Sequence, residues 1–398
     1  MKLALFFDHR FNRTDEGLIF SPRLYNYHFL RQRYLSDFTE VSIVARVESI
    51  AGVQSTDRFA EGPGVKVVSV GNWHGPKDFL LKRHGVDRIV KEQITSSEAV
   101  LLVSPGQLGQ LASRHLIRMQ KPYGVEVVGD PHGVFAPGVV KHPLRALLRA
   151  HITRQQQQVV GSAAAVSYVT ASSLQKRYPA SRKAFATHFS DIEMARDDYV
   201  AAARLATPLG RPVRCVTVGS LDQLYKGVDV LLRAARICRD SGLALELAII
   251  GDGKYRPDLE RLTDQLGLTG SVQFVGQLPA GPAVKSWLDN TDVFVLASRT
   301  EGLPRALIEA MGRAMPCIAT RVGGIPELLD EEDLVEPNEP GSLAGKILEV
   351  ATSSVRMRRM SERNLETARD YRPEQLHQRR AAFYAHIREV TLQWQERL

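Results

Sequence analysis

The apolar positions of this chain fall into short β-branched runs, separated by segments whose apolar residues recur at helical spacing. In the first half, Lys2–Phe7, Val41–Val47, Val65–Val70, Ala99–Val103, Gly124–Val128 and Ala164–Val169 are expected as strands, with Arg23–Leu35 and Leu108–Met119 as helices. The second half repeats the alternation more clearly. Val213–Val218, Leu245–Ile250, Val272–Val275, Val293–Leu296 and Cys317–Thr320 are almost unbroken apolar runs, as strands covered on both faces must be. Helices are expected over Asp229–Arg239, Pro257–Leu266, Ala283–Asp289, Pro304–Arg313 and Ile325–Leu329. Alternation of this kind builds a parallel sheet with helices on its faces, and 398 residues exceed what one core serves. The expected fold is therefore α/β, with two Rossmann-like doubly wound domains facing a cleft. They span residues 1–200 and 207–372 and join near Ala201–Arg211, where alanine-rich sequence meets Pro208, Gly210 and Pro212. Residues 373–398 hold a last helix, expected over Pro373–Arg397.

Composition narrows the class. With 44% hydrophobic and 24% charged residues, the chain reads as an ordinary soluble globular protein. The opening MKLALFF is followed at once by Asp8, His9 and Arg10, which suits a first strand and is too short for a signal peptide or a membrane span. Cys215, Cys238 and Cys317 each sit in an apolar segment without metal-ligand spacing, so they read as reduced core residues of a cytoplasmic protein.

The net charge of +8 resides in one half. Residues 1–200 hold 26 Lys+Arg against 18 Asp+Glu, the remainder balances at 26 against 26, and residues 101–190 hold 11 against 2. Such asymmetry points to an anionic partner, or else merely keeps the surface soluble. Without a recognised nucleic-acid motif or an interleaved aromatic platform, no nucleic acid is expected. An anionic membrane face or a phosphorylated substrate also fits the charge. The segment Lys141–Arg154 puts Leu144, Leu147, Leu148 and Ile152 on one face, with Arg145 and Arg149 elsewhere. Such a helix either lies on an anionic membrane, giving a peripheral location on its inner face, or packs on its own sheet with its arginines in water.

Ligands of open α/β sheets bind beyond the carboxyl ends of the strands, and three loops there carry chemistry. In Val218-Gly219-Ser220-Leu221-Asp222-Gln223-Leu224-Tyr225-Lys226-Gly227, a strand leads into a helix whose amides can receive an anion. Gly219 permits close approach there and Lys226 brings a mobile charge. Ile250-Gly251-Asp252-Gly253-Lys254 resembles a dinucleotide fingerprint whose third glycine is replaced by Arg256. In Ser298-Arg299-Thr300-Glu301-Gly302-Leu303-Pro304-Arg305-Ala306-Leu307-Ile308-Glu309, Pro304 suits the first helical position. Glu309 then lies among apolar neighbours, where a carboxylate is costly unless donors such as ribose hydroxyls satisfy it. Glu301, just before the helix, can accept from a sugar's hydroxyls.

The spacing Glu301-x7-Glu309, inside SRTEGLPRALIEAMGRAMPCIATRVGGIPELL, resembles the signature of retaining glycosyltransferase family four. The segments VGSLDQLYKGVDVLLRA, LAIIGDGKYRPDLERL and VQFVGQLP resemble that family's blocks in the same order, so the likeness covers about residues 213–336. It implies a GT-B fold, a nucleoside-diphosphate sugar donor in the second domain, and transfer with retention; UDP is expected only as the commonest donor nucleotide. It also implies that Lys226 holds the diphosphate, that Glu309 binds the ribose, and that Glu301 with the amides of Gly302, Leu303, Pro304 and Arg305 holds the sugar. Gly219, Ser220, Gly253, Lys254 and Gly276 would complete the donor site, and Gln273–Leu278 would line the base. Many members have an arginine where this chain has Ser220, so Arg305 or Lys254 would have to compensate. The family often places a histidine after the strand ending near Val128. His132 is that candidate and Asp130 the second, the alternative being a turn closed by Pro131 and Gly133. The last helix resembles the GT-B tail that crosses back to the first domain.

No cofactor is expected, since the nucleotide-sugar is a substrate, and no metal: no Asp-x-Asp pair ends a strand, and Asp330–Asp333 reads as a solvated acidic turn. The acceptor is expected to be a carbohydrate or a lipid-linked saccharide of polysaccharide or glycolipid assembly, with Asp130, Arg145 and Arg149 as candidate contacts to acceptor or membrane. A nucleotide-sugar-binding protein without turnover, an epimerase and a phosphorylase are the alternatives on the same fold.

Overall fold

The computed structural model describes residues 1–21, 25–50, 59–135, 143–192, 194–204, 211–279 and 281–397. The first half supplies β1 (Lys2–Arg13), β2 (Ile19–Phe20), α1 (Tyr27–Tyr34), β3 (Glu40–Ser49), β4 (Val65–Ser69), α2 (Gly75–Ser96), β5 (Ala99–Ser104), α3 (Gln107–Arg118), β6 (Gly124–Val127), α4 (Pro131–Val134), α5 (Arg145–Gly161), β7 (Ala165–Tyr168), α6 (Ser173–Arg177) and β8 (Phe185–His188). Its sheet runs β4-β3-β1-β5-β6-β7-β8 with parallel pairing, and β2 hangs antiparallel on β1. The second half supplies β9 (Val213–Val218), α7 (Val228–Asp240), β10 (Leu245–Ile250), α8 (Arg256–Gln265), β11 (Val272–Gly276), α9 (Pro282–Asp289), β12 (Val293–Leu296), α10 (Arg305–Gly312), β13 (Cys317–Thr320), β14 (Leu334–Val335), α11 (Pro340–Ala351), α12 (Ser354–Ala368) and α13 (Pro373–Gln395). Its parallel sheet runs β11-β10-β9-β12-β13-β14. Both sheets are doubly wound. Strand order reverses between β1 and β5 in one and between β9 and β12 in the other, and such reversals open the crevices where ligands sit.

Apolar runs make the core as expected: Leu101, Val125, Val166, Val216, Ile249 and Val295 are fully or almost fully buried. All three cysteines are buried and unbridged. Helix α13 packs on β8, β7 and β5 of the first sheet. There the Tyr384 hydroxyl donates to Glu126 Oε1 at 2.8 Å, while Arg33 pairs with Glu126 at 2.9 Å and Asp191 at 2.8 Å. A buried carboxylate is tolerated because both of its oxygens find donors.

Four expectations need correction. Strand β1 runs on past Phe7 to Arg13, through a register shift between Phe6 and Arg10 that sets Phe7, Asp8 and His9 off the ladder with β3. Pro304 is the N-cap of α10, with extended backbone, and not its first helical residue. The segment expected as a helix over Ile325–Leu329 makes one 3₁₀ turn, Ile325–Glu327. Nor is Asp330–Asp333 a solvated turn: Asp333 is fully buried, accepting from Arg356 at 2.5 Å and pairing with Arg363, both on α12. Of the expected linker Ala201–Arg211, residues 205–210 lie outside the described residues.

Candidate active site at the interdomain cleft

At the β9–β12 reversal, the loops after β9 and β10 are stitched together by Gly219 N donating to Ile250 O and Leu221 N to Asp252 O, each at 2.9 Å. Gly253 has a φ of +156° and passes so close to Asp222 N that no side chain would fit. Lys226 lies on a 3₁₀ turn, Leu224–Lys226, that ends in left-handed Gly227, φ +64°, wedged against Ala297 O. Arg299 fixes this turn. Its guanidinium grips the Asp229 carboxylate at 2.7 and 2.8 Å and donates to Leu224 O, while its own amide donates to Tyr225 O at 2.6 Å.

The turn delivers the Lys226 ammonium to Glu301, Nζ to Oε1 2.7 Å, and Ser298 Oγ donates to the same oxygen at 2.6 Å. The two ionic side chains are 13% and 8% exposed, so the pair is shielded from water. Burial alone would lower the Lys226 pKa, but the Glu301 charge, together with Tyr225 and the hydrogen bonds to both, outweighs it and the ammonium is held above its ordinary range. Glu309 stands one turn into α10. Burial raises its pKa, the Arg305 charge opposes that rise and Asp198 adds to it. Among the described residues, its carboxylate has no ion pair or hydrogen-bond partner.

Ser220 is turned into its own loop. Its hydroxyl donates to Asp222 Oδ2 at 3.0 Å and accepts from Asp222 N at 3.2 Å. Lys254 Nζ sits 4.9 Å over the Tyr255 ring. Arg256, at the fingerprint's third glycine position, pairs with Asp252 at 2.8 Å and Glu260 at 2.7 Å. Gly276 ends β11 and accepts from Gly251 N at 2.9 Å, which puts the Gln273–Leu278 segment beside the same loops.

Across the cleft, Asp130 is the N-cap of α4. Its Oδ1 accepts from His132 N at 3.1 Å and from the Tyr178 hydroxyl at 2.6 Å, and Arg177 pairs with its other oxygen. His132 Nδ1 faces Arg149 Nη2 at 3.1 Å. A guanidinium can only donate, so Nδ1 accepts and the proton of the neutral ring sits on Nε2. Burial, then Arg177 and Arg149, hold the His132 pKa below the usual value, with Asp130 pulling the other way. Helix α5 starts at Arg145 rather than Lys141, which with His142 lies outside the described residues. Leu148 and Ile152 are half-buried, whereas Leu144 and Leu147 are 55% and 69% exposed beside half-buried Arg145.

The two halves touch around the site. Gly133 backs onto Thr300 with no room for a methyl group, and a methyl on Gly302 would lie 3.1 Å from Val128 O. Glu327 reaches across from the turn after β13 to accept from the amides of Ala171, Ser172 and Ser173 and from the Ser172 hydroxyl. Sequence reasoning singled out neither Arg299 nor Glu327. Arg299 lies inside the quoted motif, and its signal was there in principle: an arginine entering a buried loop with Asp229 three residues after Lys226. Glu327 carries no local signal, since its partners are some 155 residues away. Among the described residues, no helix is long and apolar enough to cross a membrane.

Residues 212–353 match the sequence model of the family described as Glycosyl transferases group 1. Protein CapJ of Staphylococcus aureus is 26% identical over 318 residues, 78% of this chain and 77% of that protein. The putative colanic acid biosynthesis glycosyltransferase WcaL of Escherichia coli is 34% identical over a shorter stretch of 145 residues, 34% of this chain and 35% of WcaL. In architecture the chain is similar to Anabaena HepE in complex with UDP and glucose, with a TM-score of 0.63 at 15% identity over 100% of both chains. The chain is a glycosyltransferase with the GT-B fold.

Proposed function

We infer that this glycosyltransferase takes a sugar from a UDP-linked donor and passes it, with retention of anomeric configuration, to a hydroxyl of a carbohydrate or lipid-linked acceptor in polysaccharide or glycolipid assembly. The observation that carries the reading is the Lys226–Glu301 ion pair at the β9–β12 reversal, with the unpartnered Glu309 carboxylate one turn into the helix that follows. In this reading, residues 207–372 bind the donor, residues 1–200 receive the acceptor, and 373–398 return to the first domain. The uridine choice is supported by HepE, which holds UDP and glucose on the same architecture.

Glu309 gains from the ribose hydroxyls the donors that its surroundings withhold. The diphosphate lies against the Gly219–Ser220 and Gly253 amides and draws Lys226 toward it. Glu301, relieved of its cation, accepts hydroxyls of the sugar, whose far side meets the neutral His132 Nε2–H. As the bond from anomeric carbon to phosphate breaks, Lys226 and the loop amides stabilise the charge gathering on the leaving diphosphate. The acceptor hydroxyl attacks from the same face and gives its proton to that phosphate. No metal is invoked, since Lys226 supplies the positive charge. Membrane contact by the first domain is supported by Leu144 and Leu147, exposed beside Arg145 at the start of α5.

Thermal melts with UDP, GDP and ADP test the reading. At a hundredfold excess over Kd, UDP should stabilise by about 2.7 kcal/mol, or some 5–10 °C, and Glu309→Ala should abolish the shift. No shift with any of the three would overturn it.

A further inference from the structure

The first sheet has its own reversal, between β1 and β5, and the donor chemistry leaves it unused. A cavity of about 270 Å³ opens there, walled by Phe7, Asp8, His9, Tyr25, Pro105 and Arg305. Its shape follows from the register shift in β1, which frees Phe7 and His9 from the ladder. The two rings stack with centroids 5.4 Å apart, and Tyr25 meets both edge-on at 4.7 and 4.8 Å. Aromatic surface beside a few polar groups is what the apolar C–H face and hydroxyl rim of a pyranose require.

The charges facing this space are unequal. Asp8 is spent on the fold: its Oδ2 accepts from Leu108 N at 2.9 Å, and burial raises its pKa against the pull of that amide and of Arg46. Arg46 donates to Asp8 O at 2.8 Å. Arg305 is different. It is exposed, it comes from the opposite domain, and among the described residues it makes no ion pair or hydrogen bond through its guanidinium. Glu309, one turn further along α10, lies beyond ion-pair distance. The half that holds the cavity also carries the whole net charge of +8.

We propose that this cavity receives the acceptor sugar and that Arg305 recognises an anionic group on it, a carboxylate or a phosphate. The proposal rests on the glycosyltransfer reading above and adds to it the class of acceptor. Arg305 thereby joins the two halves of the reaction: its side chain holds the acceptor while α10 carries Glu309 to the donor.

Saturation-transfer NMR on the UDP-loaded protein, with glucose, glucuronic acid and glucose 6-phosphate as probes, tests it. The expected result is tighter binding of one or both anionic sugars than of glucose. Arg305→Gln should weaken the anionic probes by about tenfold or more with little change for glucose. Phe7→Leu should weaken all three. The two anionic arms separate a uronic acid from a sugar phosphate. Equal binding of all three sugars, binding unaffected by Arg305→Gln, or no sugar binding to a protein that UDP does stabilise would each overturn the acceptor assignment alone. Failure of UDP to stabilise the wild-type protein would remove the underlying reading and the proposal with it.

Discussion

Glu327 holds the amide of Ser172 at 3.0 Å across the cleft, and the same carboxylate accepts from Ala171, Ser173 and the Ser172 hydroxyl. One side chain of the second half thus caps the first turn of α6 in the first half and fixes how the halves meet. Hydrogen bonds to a charged group are each worth about 1.5–3 kcal/mol, so losing about 2 kcal/mol would move the closed-to-open balance roughly thirtyfold. Glu327→Ala should enlarge the radius of gyration in X-ray scattering and lower kcat/KM about tenfold or more. An unchanged scattering curve would sink the idea.

Lys226 should matter twice. In the proposed reaction Lys226 stabilises the leaving diphosphate, so Lys226→Ala should lower turnover by about 10²–10³. It also leaves Glu301 shielded from water without its ion pair, so the melting temperature should drop. Turnover and melts on one protein sample check both, and wild-type turnover in this variant would refute the assignment.

Glu309 should trade stability for function. Its pKa is raised by burial, so ionising the carboxylate costs the folded state more than the unfolded chain. The penalty for ionising it is absent below the unfolded value of 4.5 and grows as pH rises through the folded pKa. Glu309→Gln should therefore raise the melting temperature at pH 7 by about 2–4 °C while losing the UDP shift. A variant that melts lower and still binds UDP would contradict both halves.

Acid should weaken the fold through two histidines. His132 and His188 each face an arginine, Arg149 at 3.1 Å and Arg379 at 3.0 Å, and burial with that charge keeps their pKa values below 6.5. The unfolded chain takes up these protons near pH 6.5 and the folded chain resists. Stability should hold above that pH and fall as pH drops below it, by up to about 1.4 kcal/mol per pH unit for each histidine. Urea denaturation at pH 7.5, 6.5 and 5.5 measures the slope, and replacing both histidines by glutamine should flatten it.

Membrane contact has a compact test. Replacing exposed Leu144 by Gln and Leu147 by Glu should cut flotation with anionic vesicles by about tenfold or more, leaving neutral vesicles unaffected. Equal flotation of the variant and the wild-type protein would remove α5 from consideration.

The second half was the more legible in sequence, because strands covered on both faces leave unbroken apolar runs and its ligand loops are local. Lys226, Glu301 and Glu309 follow one another within short stretches at strand ends, where a motif can be read. The first half hides its site. Asp8, His9 and Arg10 look like the end of a strand, and only the structure has β1 continue to Arg13 with Phe7 and His9 turned into a cavity. Arg305 was read as a donor-side group, through its amide or as a cation for the diphosphate, since which way a side chain points across a cleft is decided by two domains together. Asp333 misled because its arginines, Arg356 and Arg363, come from a helix further along the chain.

The seating of Tyr384 on Glu126 sets an order of events during synthesis. The ribosome releases β1 to β8 long before it makes residues 383–387, yet Glu126 awaits that hydroxyl and Ile387 fills the space over Gly124. The second half, whose sheet is contiguous in sequence, can close its own core in the meantime. The half made first is thus the last to be finished, and until α13 arrives its sheet stands open over β5, β7 and β8 to chaperones or to another copy of itself.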